Sequence, residues 1–202
     1  MADRRHFNDK EVVDAAKLVF WERGYAGTAI DDLQVATGLS RSSLYLAFGT
    51  KRAVFDAALA EYVTSFVDPR LGPLEAQGAD LGDAAGSFGG LAEYFGSPGA
   101  SRGCLYINAI AELAGRDPTF ALAATEFTNR VRAAFRHALG DGAAEGTIDS
   151  ANLSQRAAML TAALLGVWLD VRVDAALAAA ACVEIAKEIS SWGQKPAADQ
   201  RE

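Results

Sequence analysis

An all-α fold of about nine helices is predicted by three observations. Apolar residues recur at helical spacing through successive segments of the 202-residue chain. No alternating β-branched stretch stands anywhere in it. The segments are bounded by helix-start and helix-stop residues: Asn8, Ser40, Thr50 and Asp117-Pro118 at starts, Gly24, Gly38 and Gly140 at stops. Half the residues are apolar and 22% are charged, which marks a globular chain.

The N-terminus, through Phe7, is polar. Arg4 and Arg5 are either a plain tail or an arm reaching a minor groove. Asn8-x-x-Glu11 opens the first helix as a capping-box variant, with Val12, Ala16, Val19 and Phe20 on one face. The second helix is predicted to start at Thr28 as N-cap, with Asp31 near its positive end and Ile30, Leu33 and Ala36 at helical spacing. Gly38 stops it, because a residue without Cβ enters the left-handed region at no steric cost. Ser40 then caps a third helix, Arg41 to Phe48, with Leu44 and Phe48 inward. Arg41, Ser42, Ser43, Tyr45, Leu46 and Ala47 are left facing out. Two helices joined by a short Gly-containing turn form a helix-turn-helix, whose second helix enters the major groove. Arg41, Lys51 and Arg52 are the only charges from Leu39 to Arg52. Thr50 starts another helix with Lys51 at its head, so a cation and free N–H groups make a phosphate site.

Gly24-Tyr25, Thr28, Leu33, Gly38-Leu39-Ser40, Leu44-Tyr45, Phe48 and Lys51 resemble the N-terminal signature of the TetR family of transcriptional regulators. The Tyr-x-x-Phe-x-x-Lys spacing is its most specific part, and the match covers roughly the first third of the chain. Gln34 and Val35 depart from the usual pattern. Leu46 and Ala47 are apolar where many members carry a polar or aromatic base reader.

The fourth helix is expected from Lys51 to about Val67, a link with a wide apolar stripe from Val54 to Phe66, stopped by Asp68-Pro69 and Gly72-Pro73. Residues 69–82 read as loop. Helices follow over about Asp83–Phe95, Gly103–Ala114 and Pro118–Leu139, the last with a Glu126–Arg130 pair. After a link over 140–147, one helix begins near Asp149 or Ser150 and runs past Trp168, and another covers about Asp174–Trp192. Both are rich in Ala, so they approach neighbours closely and suit a four-helix bundle with a second copy. The expected division is residues 1–50 as DNA-binding domain, 51–195 as effector-binding and dimerisation domain with 51–67 as link, and 196–202 as a polar tail.

Net charge is −7, and its distribution matters. Residues 1–67 carry eight basic and nine acidic side chains, against eleven and seventeen in 68–202. That excludes a broadly basic nucleic-acid coat while leaving room for a local basic patch. Cys104 and Cys182 make neither a disulfide framework nor a metal motif, which suits a reducing cytosol. No apolar leader precedes Asn8 and no run reaches a membrane span, so a cytoplasmic protein is expected. His6 and His137 are the only histidines, and no nucleophile, zinc or phosphate-loop motif is present. Neither catalysis nor a cofactor is expected.

The resemblance implies a homodimeric, ligand-responsive repressor on a palindromic operator of double-stranded DNA, released by a small, largely apolar effector. Its DNA contacts would be Thr28, Ser40, Arg41, Ser42, Ser43, Tyr45, Leu46, Ala47, Thr50 and Lys51. Its effector cavity would draw on Phe66, Phe88, Leu91, Tyr94, Phe95, Cys104, Ile107, Asn108, Phe127 and Trp168, with Glu112 and Tyr106 as further polar candidates. Ala158, Ala162, Gly166 and Val183 on the last two helices would line the dimer interface. Cys104, near a helix start and beside Arg102, is either a reactive sensor or a core residue. The alternatives are an activator or architectural protein without effector, or a helical enzyme or interaction module that keeps the head.

Overall fold

The computed structural model describes residues 8–140 and 150–193. The expectations for Arg4, Arg5, His6, the tail after Gln194 and all but the first residue of the 140–147 link lie outside them. The described residues form α1 (Asp9–Arg23), α2 (Ile30–Thr37), α3 (Arg41–Phe48), α4 (Lys51–Tyr62) and α5 (Asp68–Glu75). They continue with α6 (Leu81–Phe95), α7 (Leu105–Leu113), α8 (Pro118–Ala138), α9 (Leu153–Asp170) and α10 (Ala175–Ser191). No strand occurs among the described residues, and no helix there is long and apolar enough to cross a membrane.

The chain divides into two compact units. One comprises residues 1–68 and 104–121, the other 69–103 and 122–202. In the first, α1 packs on α2 and α4, and α7 packs on α1 and α4. Val12, Ala16 and Phe20 are buried on α1, as its apolar spacing predicts. Phe20 meets Phe55 edge-on at 5.0 Å and Trp21 meets Tyr62 edge-on at 5.0 Å. In the second unit, α10 packs along α6 and against α9. Gly86, Gly89 and Gly90 lie within the unbroken α6, which packs against the Ala-rich α10. Phe88 stacks on Phe135 at 5.8 Å, and Phe95 meets Trp168 edge-on at 5.0 Å.

Several local expectations change. The N-cap of α2 is Ala29 rather than Thr28. Asp32 supplies the missing cap by accepting the Ala29 N–H at 2.8 Å. Thr28 is buried, and its hydroxyl donates to the Gly24 carbonyl at 2.6 Å, so it closes the preceding turn instead. The fourth helix does not run straight to Val67. α4 ends at Tyr62, a π-helical turn spans Val63–Val67, and α5 continues through the segment read as loop. Pro69 stands just after the π-turn, so its missing N–H leaves a gap in the hydrogen-bond ladder of this continuous helical run. Pro73 lies inside α5 and withholds an N–H from its last turn. Arg130 also finds a partner beyond its own helix. Its guanidinium forks onto Glu75, with Nε–Oε1 at 2.8 Å and Nη2–Oε2 at 2.9 Å. Such a two-pronged bond is stronger and more directional than an i,i+4 surface pair. α6 starts at Leu81, capped reciprocally by Asp80 and Asp83.

Candidate DNA-reading face

α3 is held by its ends and by one anchor. Ser40 Oγ accepts the Ser43 N–H at 3.1 Å, satisfying an orphan donor of the first turn. Gly38, in the left-handed conformation at φ 70°, ends α2 by donating its N–H to Gln34 O. Leu44 is buried on the inner side, and Phe48 is only half-buried. The outer side carries Arg41, Ser42, Tyr45 and Leu46, with Ser43 and Ala47 partly covered. Leu46 is 87% exposed. Arg41 lies 3.5 Å from Asp31, at the limit of a hydrogen bond, which leaves its guanidinium outward on the surface. Thr50 accepts the Ala53 N–H at 3.0 Å and so opens α4 as predicted.

Lys51 stands differently from its expected role. Its ammonium donates to Tyr25 O and to Thr28 O, both at 2.9 Å, and lies 4.3 Å from the centre of the Tyr25 ring. Two of its three N–H groups thus fasten the turn between α1 and α2, leaving one for a phosphate. Thr28, buried and bonded to Gly24 O, presents no hydroxyl to a ligand.

Behind this face lies a polar network that the sequence reading placed elsewhere. The Glu112 carboxylate accepts the Tyr25 N–H at Oε2, 2.9 Å, and the Ala26 N–H at Oε1, 2.6 Å. It is therefore engaged by backbone within its own unit rather than turned to a ligand. Arg52 bonds Asp56 at 2.7 Å and also pairs with Asp117. The Asp117 carboxyl is held below the ordinary carboxylate range, first by the Phe120 N–H and then by the Arg52 guanidinium. Val35 on α2, 87% exposed, is an outward apolar residue not counted among the DNA contacts. Its departure from the family pattern was the available signal.

The effector candidates fall in both units. In the first, Phe66 stacks on Tyr62 at 4.9 Å, Cys104 and Ile107 are buried, and Asn108 is half-buried. In the second, Tyr94, Phe95 and Trp168 come together, with Tyr94 5.7 Å and Phe95 5.0 Å from the indole. Phe88 and Leu91 are buried there, and Phe127 is half-buried. An open groove between α6 and α10 is lined by Gly89, Ala92, Glu93, Val183, Ala186 and Lys187 with Ser190, none of them an effector candidate. Burial pushes the Cys182 thiol up to about 11. Among the proposed interface residues, Ala158, Ala162 and Val183 are exposed and Gly166 is half-buried.

Residues 12–58 match the family model described as bacterial regulatory proteins, tetR family, and residues 87–185 match the tetracyclin repressor-like C-terminal domain. The HTH-type transcriptional regulator YezE of Bacillus subtilis is 30% identical over 139 residues, covering 69% of this chain and 72% of that protein. The HTH-type transcriptional repressor ComR of Escherichia coli is 32% identical over 103 residues, half of this chain and 49% of ComR. A solved cysteine mutant of the regulator CifR, complexed with 26-bp operator DNA, superposes with a TM-score of 0.76. It is 24% identical, over 93% of this chain and 97% of CifR, and shares the fold. The chain therefore belongs to the TetR family of bacterial regulatory proteins, as a regulator and not an enzyme.

Proposed function

We propose that this regulator is a homodimeric repressor that binds a palindromic operator and is released by a small, largely apolar effector. The observation that carries the DNA half is α3, a capped and anchored helix whose outer side holds Arg41, Ser42, Tyr45 and Leu46. Arg41 and Ser42 suit base edges or phosphates, Tyr45 a phosphate, and Leu46 with Ala47 thymine methyls. Ser40 and Thr50 contribute mainly as caps, leaving free N–H groups at two helix starts for phosphate. The repressor sense is supported by ComR, a repressor by name, at 32% identity.

Dimerisation through α9 and α10 is supported by their exposed apolar residues. Ala158, Ala162 and Gly166 recur every fourth residue along α9. On the same segment Met159, Leu169 and Val173 are 52%, 42% and 90% exposed, and Leu177 and Val183 on α10 are 65% and 40% exposed. A surface this apolar gains by being covered. Two recognition helices would then occupy successive major grooves about 34–36 Å apart. In this division of labour residues 1–50 read DNA, 51–195 bind effector and dimerise, and 51–67 link them. The aromatic cluster of Tyr94, Phe95 and Trp168 is the best-defined place for an apolar effector to act.

The test is a gel shift and footprint on the intergenic DNA upstream of the gene. A dyad-symmetric footprint with two half-sites one turn apart is the expected result. Absence of any sequence-specific shift overturns the operator reading. A footprint relieved by no apolar small molecule in a thermal-shift screen overturns the effector half alone.

A further inference from the structure

We propose that Glu112 is a positioning residue for operator binding, holding the turn of residues 24–28 in the shape that sets the reading head. The inference rests on the operator-binding function proposed above. The turn follows α1 and leads into α2, and its polar backbone is gripped from two helices of the same unit. From α7, the Glu112 carboxylate takes two successive N–H groups, those of Tyr25 and Ala26. From α4, Lys51 gives N–H groups to the carbonyls of Tyr25 and Thr28. Tyr25 is thus held at both its N–H and its C=O by opposite charges.

The fit is tight. Gly24 adopts φ +72°, and a Cβ there would stand 2.7 Å from Glu112 Oε2. A side chain at residue 24 would evict the carboxylate, so the glycine serves a close approach as well as a backbone conformation. The Tyr25 ring packs 4.9 Å from Phe55 on α4, so the turn is seated by ring contact too. Thr28 adds its own bond to Gly24 O, closing the turn upon itself. Only a charged carboxylate offers two strong acceptors in this geometry. A carboxamide in its place presents one oxygen and one NH₂, and the latter meets a backbone donor head-on. α7 therefore bears directly on the turn that orients α2 and, through the Gly38 corner, α3. Removing the carboxylate frees the turn without deleting any group on the DNA-facing side.

The experiment uses full-length protein and the footprinted intergenic operator. Glu112→Gln keeps the side-chain shape. The expected result is operator Kd raised about tenfold, one charge-assisted hydrogen bond's worth. The slope of log K against log[salt] should stay unchanged, because no phosphate contact is lost. Amide exchange should accelerate at Tyr25 and Ala26 but not along α1. A variant that binds as tightly as wild type overturns the inference. So does one that melts earlier while each folded molecule binds normally, since that is a purely structural role. Should the variant not fold, exchange on the wild-type operator complex decides. Protected Tyr25 and Ala26 amides support the proposal, and freely exchanging ones beside a protected α1 overturn it. Wild-type protein that shifts no DNA fails at the operator reading itself, an outcome distinct from normal binding by Glu112→Gln.

Discussion

Lys51 carries three N–H groups, and two of them already point at the carbonyls of Tyr25 and Thr28. Its replacement should show two separable effects. Lys51→Met should lower unfolding stability by about 1.5–3 kcal/mol, the range for hydrogen bonds to a charged group, read from urea melts. If the remaining N–H meets a phosphate, the same variant flattens the log K versus log[salt] slope by about 0.9 per subunit. Leu46, 87% exposed on α3, has no hydrogen-bonding group and can read only apolar features. Replacing thymine by uracil at the contacted position should cost about 0.8 kcal/mol, roughly fourfold in Kd. Tolerance of uracil at every position would remove Leu46 as a base reader. The outward set on α3 was legible from the positions of Leu44 and Gly38 alone. The partners of Lys51 and Glu112 were not, because they lie 23 to 87 residues away and no local pattern points to them. The choice left open for Cys104 moves toward core. Its side chain is 3% exposed, and Cys182, fully buried with its thiol pushed up to about 11, should resist iodoacetamide in the native protein at pH 8. Rapid labelling of Cys182 would contradict that burial.

Helix starts were read well at three local side-chain caps, while the cap at Asp80, which opens α6, was read as loop. Ser40, Thr50 and Asp174 each accept the N–H three residues on, as their spacing predicts. Thr28 shows the limit of that logic, since a threonine two residues from a helix can turn back to an earlier carbonyl instead. The π-turn at Val63–Val67 shows another, because apolar spacing alone cannot tell an α-helix from one carrying an extra residue per turn. Asp117 opens α8 by accepting the Phe120 N–H at 3.0 Å, and it also pairs with Arg52. Its carboxyl is held low in the folded protein, so the stabilisation is present above the unfolded carboxylate value, about 4, and is lost as pH falls through the folded value. Asp117→Asn keeps an oxygen for the cap but loses the charge. The variant should melt below wild type at pH 7, with the gap closing as the pH is taken to about 3. A gap independent of pH would show that the charge contributes nothing.

At the level of the whole molecule, the apolar surface of α9 and α10 sets the expected assembly. Ala162 stands in the middle of the Ala158–Ala162–Gly166 row. Ala162→Glu would bury an unpaired carboxylate against the second copy. Sedimentation should show monomers, and operator affinity should fall with the loss of the second half-site. A variant that remains dimeric would move the interface to another surface. Two Ala-rich terminal helices were visible in the sequence, and the residues named on them for an interface, Ala158, Ala162 and Val183, are exposed in the single chain.

The two compact units are interleaved along the chain, which passes between them at 68/69, 103/104 and 121/122. Swapping reading heads between regulators by one splice near residue 68 would leave half the job undone. The grafted piece would arrive without residues 104–121, and so without Glu112 for its first turn, Asp117 for Arg52, or Phe120 beside Phe55. A transplant that carries both stretches, or a host that supplies a matching α7, is what modular exchange in this protein demands.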